Sequence, residues 1–100
     1  MFKLHEGNVL LKRSHRRQIV VWFRRAMKIG QRLGRFALDL RLTRTGRMYE
    51  ARGSVQDAAG DFSCHCRGRD WRDAMRELAR CLAIRLHAQL LLSRAVSAAA

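Results

Sequence analysis

The residue types in this chain most suited to building a chemical site are three cysteines and four histidines. Cys64-His65-Cys66 invites a metal reading. On a strand, however, successive side chains leave by opposite faces, so His65 points away from both thiols, and a structural zinc wants four converging ligands. Cys81, in a later helical pattern, can approach as a third thiol, with no fourth ligand in view. The expectation is therefore cysteines that pack as small hydrophobes, with no metal and no cofactor. Their odd number, with no secretory signal pattern, points to free thiols in a reducing compartment. His5, His15, His65 and His87 lack a serine or carboxylate at a spacing that would build a nucleophilic or acid–base pair, and there is no glycine-rich phosphate loop. The chain reads as a non-enzyme without a small-molecule substrate.

What remains is electrostatic chemistry. Lys and Arg number 21 against 8 Asp and Glu, a net charge of +13, and self-repulsion of that size usually persists where a polyanion offsets it. Between Glu6 and Asp39 there is no acid, while Lys12, Arg13, Arg16, Arg17, Arg24, Arg25, Lys28, Arg32 and Arg35 all fall in that stretch. A solvated surface usually interleaves both signs, since like charges four apart on a helix cost a few tenths of a kcal/mol. Arg outnumbers Lys 18 to 3, which fits bidentate phosphate recognition and equally a GC-rich genome.

These charges need elements to hold them. Ile19, Trp22, Phe23, Ala26, Met27, Gly30 and Leu33 recur at three- and four-residue spacing, predicting an amphipathic helix from His15 to Leu33, with Ser14 as its cap and Gly34 as a left-handed stop. At about 100° per residue, Arg17, Arg24, Arg25, Lys28 and Arg32 gather opposite that stripe as a basic ridge. Phe2 and Leu4 alternate with Lys3 and His5 before Gly7-Asn8, giving a short first strand and a turn. Phe36, Leu38, Leu40 and Leu42 form the clearest strand, the Thr45-Gly46 turn leads to Tyr49, Ala51, Gly53 and Val55, and Asp57-Ala58-Ala59-Gly60 turns again into Phe62, Cys64 and Cys66. Asp70 caps a last helix whose stripe is Trp71, Ala74, Met75, Leu78, Leu82 and Leu86. Its polar side carries Arg72, Arg76 and Arg80 at four-residue steps, with His87 further along and Glu77 diluting the charge. Trp22 and Trp71 lie on or beside the apolar stripes and read as core rather than base-stacking platforms.

The order strand, helix, three strands, helix makes an α+β domain, β-α-β-β-β-α, with both helices on one face of a four-stranded sheet. One domain over residues 1–92 followed by a flexible alanine-rich tail, 93–100, is expected. The candidate nucleic-acid contacts are Arg17, Arg24, Arg25, Lys28, Arg32, Arg72, Arg76 and Arg80.

The stretch Gly68-Arg69-Asp70-Trp71-Arg72-Asp73-Ala74-Met75, continued by Leu78, Leu82 and Leu86, resembles the opening of the last helix in the hibernation-promoting factor and ribosome-associated inhibitor family, also called the sigma-54 modulation family. Gly7-Asn8-Val9 is similar to that family's glycine-containing turn after the first strand. The resemblance spans nearly the whole chain and is to the short members. It implies a monomeric, cytoplasmic protein that binds the ribosomal RNA of the small subunit near the decoding region and silences idle ribosomes.

Two other readings compete. Charge alone carries no sequence information, which leaves a generic double-stranded RNA or DNA binder. A membrane- or partner-binding amphipathic module is opposed by the need of the Phe36–Leu42 strand for the same apolar stripe. The longest apolar runs are far too short to span a bilayer, and the Arg-rich start leads directly into a strand pattern, which argues against a transit peptide.

Overall fold

Alternation along three consecutive segments decides the architecture, because each must put its apolar residues on one side. The computed structural model describes residues 2–32, 34, 36–57 and 60–99, those beyond 92 as backbone. Its elements are β1 (Phe2–His5), α1 (Arg13–Gln31), β2 (Phe36–Thr45), β3 (Met48–Asp57), β4 (Gly60–Gly68) and α2 (Trp71–Ala99). The strands form one mixed sheet in the order β1-β2-β3-β4, parallel between β1 and β2 and antiparallel elsewhere. This is the expected β-α-β-β-β-α fold.

The register lines up apolar residues in rows across one face. Phe2, Leu38, Val55 and Phe62 make one row, Leu4, Leu40, Gly53 and Cys64 the next, and Leu42, Ala51 and Cys66 a third. Both helices cover this face. Ile19, Phe23 and Ala26 of α1, and Met75, Leu78, Leu82 and Leu86 of α2, are buried in one core with Leu38, Leu40, Leu42 and Val55. Each fully buried Ile, Leu, Val, Phe or Met side chain among them contributes about 1.5–3 kcal/mol relative to exposure. No polar or charged residue is buried among the described residues.

Gly53 sets how closely α2 approaches: a Cβ there would lie 2.8 Å from a methyl of Leu82. The hollow it leaves in the middle row receives the Leu78 and Leu82 side chains. Gly7, at φ +59, turns the chain after β1 against the backbone of Leu42. Asn8 then acts as a short extension of the sheet, accepting from the Arg44 N–H at 2.7 Å and donating to the Arg44 carbonyl at 2.9 Å.

At the helix ends the expectations meet mixed results. Asp70 caps α2, its carboxylate accepting from the Arg72 N–H at 3.2 Å, and Gly34 has the left-handed φ of +93 expected after α1. Ser14 is not the cap of α1; the helix starts earlier, with Lys12 as its N-cap. His15 takes the reciprocal part, its Nδ1 accepting from the Lys12 N–H at 3.4 Å, while its ring rests 5.0 Å from that of Trp71. Contact with α2, rather than a hydroxyl, fixes the first turn. Leu33, expected on the α1 stripe, and Ala58 and Ala59 of the last turn lie outside the described residues; Asp57 accepts from the Gly60 N–H at 3.0 Å beside them. The α2 backbone continues as helix through 93–99.

Candidate nucleic-acid interface

With Ile19, Phe23 and Ala26 turned into the core, the helical repeat of α1 has to present its bases to solvent. Arg17, Arg24, Arg25, Lys28 and Arg32 are all exposed. Among the described residues none of them has an acidic partner, whereas Arg16, nearer the helix start, is held by Glu6 at 2.6 Å. The ridge is not uniform, because Val20 and Val21 interrupt it at 48% and 54% exposure. Its two flanks also face different ground. Arg24 borders a depression with Phe2, Val20 and Met27 beside β1, while Arg25 faces α2.

The α2 bases are more constrained. Arg72 is half-buried, its guanidinium 4.7 Å over the Trp71 ring and 3.5 Å from Nε2 of His15. Arg76 reaches across to α1, its guanidinium 5.0 Å above the centroid of Trp22. Arg80 forms two hydrogen bonds to Glu77, at 2.6 and 3.3 Å. That pair holds the Glu77 carboxyl below its ordinary value and raises Arg80, so part of the Arg80 charge is already neutralised.

Between the helices runs an open groove of about 420 Å³ lined by Trp22, Arg25, Arg76, Ala79, Arg80, Ala83, Ile84 and His87. It brings three of the eight candidate bases together and adds His87. Trp22 belongs to both environments, half-buried against the core and forming a wall of this groove, whereas Trp71 is core at 8% exposure. On sequence both tryptophans read as packing residues. Trp22 lies on the flank of the α1 stripe rather than its centre, the one sign that it would be shared.

The opposite face of the sheet mixes both signs. His5 contacts Asp39 at 3.2 Å, and Glu50 collects His65 at 2.8 Å, Arg67 at 3.7 Å and Arg52 at 3.9 Å. The hydrogen bond from His65, with the nearby guanidiniums, keeps the Glu50 carboxyl below its usual range despite some desolvation. His65 is therefore on the far side of the sheet from the thiols, as strand alternation requires.

The three cysteines do converge, between β4 and α2. The sulfurs of Cys66 and Cys81 are 4.0 Å apart, Cys81 is 3.8 Å from a Glu77 carboxylate oxygen, and Arg85 lies 4.0 Å from the Cys64 sulfur. Burial, followed by the neighbouring Cys81, pushes the Cys66 thiol up to about 12. Cys64 is also raised by burial, against the pull of Arg85. Among the described residues no cluster of three or more potential ligands is arranged to hold a metal ion, and no helix is long and apolar enough to cross a membrane.

No protein-family model matches the sequence, and no curated protein matches it. Solved structures do match the fold. The N-terminal domain of Thermus thermophilus Protein Y superposes with a TM-score of 0.72 at 17% identity, over 84% of this chain and 91% of that one. A ribosomal subunit interface protein from Coxiella burnetii does so with a TM-score of 0.63 at 12% identity, over 89% of this chain and 97% of that one. The chain has the fold of these proteins, as the resemblance carried by Gly68 to Met75 implied.

Proposed function

We propose that this chain is a cytoplasmic, monomeric, ribosome-associated protein that docks on ribosomal RNA of the small subunit through the outer faces of α1 and α2 and represses translation. The observation that carries this reading is the separation of charge. The α1 ridge is basic without acidic partners among the described residues, while the sheet face behind it pairs acid with base. Unneutralised Arg and Lys on one side suit a phosphate backbone, and holding them together unliganded gains the fold nothing. The fold shared with a ribosomal subunit interface protein supports the choice of the ribosome among RNA partners. Insertion of α1 into a membrane is disfavoured, because Ile19, Phe23 and Ala26 are already spent in the core.

The test compares two triple variants with equal loss of charge. Arg24, Lys28 and Arg32 changed to Gln should abolish co-sedimentation with small subunits and relieve inhibition in a cell-free translation system. Arg41, Arg52 and Arg67 changed to Gln, on the sheet face, should cost far less. Equal losses in the two variants would mean recognition by overall charge, and equal affinity for liposomes or random duplex DNA would defeat the ribosomal reading.

A further inference from the structure

A surface that bound only phosphates would need only cations, yet the groove between the helices has an apolar floor. Ala79 and Ala83, one turn apart on α2, leave space opposite Trp22, and Ile84 stands at the edge with 58% of its surface exposed. Arg76 is exposed and lines the groove, with its guanidinium over the Trp22 indole. Arg25 and His87 stand at the rim, where Arg25 has no acidic partner among the described residues.

We propose that this groove takes one unstacked base of single-stranded RNA, which stacks on the Trp22–Arg76 pair against Ile84 while Arg25 and His87 hold its phosphate. The chemistry of the walls selects this occupant. Unpaired bases are recognised by stacking on aromatic rings and on guanidinium planes, and a base inside a duplex has no such face to offer. The volume falls within the range of pockets that enclose a small organic ligand, and apolar walls with a few convergent polar groups are the usual composition of such a pocket. Arg80, tied to Glu77, contributes less to the phosphate than its position suggests. The inference rests on the RNA-binding reading above and adds a recognition element that phosphate contacts alone lack.

Binding of a fluorescent oligoadenylate and of an abasic oligomer with the same number of phosphates separates the two ideas. The base-bearing oligomer should bind roughly ten- to a hundredfold more tightly, the range expected for one stacked base. Ile84→Ser, at an exposed position and without change of charge, should narrow that difference and leave the abasic affinity unaltered. Arg24→Gln, on the other flank of α1, should weaken both oligomers alike. Equal binding of the two oligomers by the wild-type protein overturns the base pocket and leaves phosphate-driven RNA binding standing. A difference that survives undiminished in both Ile84→Ser and Arg76→Gln also overturns it, since the base is then read elsewhere. If neither oligomer binds, the RNA reading falls and takes the pocket with it.

Discussion

Cys66 and Cys81 show how a residue's setting governs its chemistry. At about 12, the Cys66 thiol lies three units above its ordinary value of 9.0. Its thiolate fraction near neutral pH is then well below that of an ordinary cysteine, and the thiolate is the nucleophile. Alkylation of the native protein by iodoacetamide, followed by peptide mass spectrometry, should label Cys64 and Cys66 far more slowly than the same cysteines in the unfolded chain, since burial both shields them and raises their thiols. Rapid labelling of Cys66 in the folded protein would contradict the burial described. Glu50 makes a second prediction. Its folded-state value lies below the ordinary 4.5, so its contribution to stability is present above that value and fades as pH falls through the folded one. Melting followed from about pH 6 towards pH 3 should show a shallower decline in Glu50→Gln than in the wild type. The Glu50 side chain is only half-buried, on the solvent side of the sheet, so water screens its ion pairs and the difference is small.

Elements are held by contacts that a single strand or helix does not contain. Gly53→Val would drive two methyls into Leu82 and lift α2 from the sheet, and overpacking of this kind costs about 1–3 kcal/mol or more. A urea titration should show that destabilisation, and a companion Leu82→Ala change should recover part of it by making room, although alone it would cost about 2–5 kcal/mol. The strands were legible because each buries one face, so Phe36 to Leu42, Tyr49 to Val55 and Phe62 to Cys66 all declare their period. The cap at Asp70 was legible because it is local. The start of α1 was not, since His15 against Trp71 is a tertiary contact and Ser14 offered a plausible local substitute. The ridge could be drawn from α1 alone. The groove could not, because Trp22 and Ile84 become neighbours only when the two helices pack.

For the molecule as a whole, the sidedness of charge should set how binding responds to salt. Engagement of on the order of six phosphates would weaken binding roughly a thousandfold between about 50 and 200 mM salt. The Arg24, Lys28 and Arg32 variant should lower the slope by about one unit for each phosphate it no longer engages, and the sheet variant should leave it nearly unchanged. A flat response in the wild type would point to protein contacts instead. The position of α2 in the chain has a different consequence, for synthesis. Met75, Leu78, Leu82 and Leu86 all belong to the last element, yet they cover the central rows of a sheet whose strands come earlier. At about 5–20 residues per second, a ribosome releases the β2-β3-β4 meander seconds before the helix that shields it. Until α2 packs, Leu38, Leu40, Leu42 and Val55 lack their cover, so a free fragment that ends before Trp71 should be protease-sensitive where the finished domain is not.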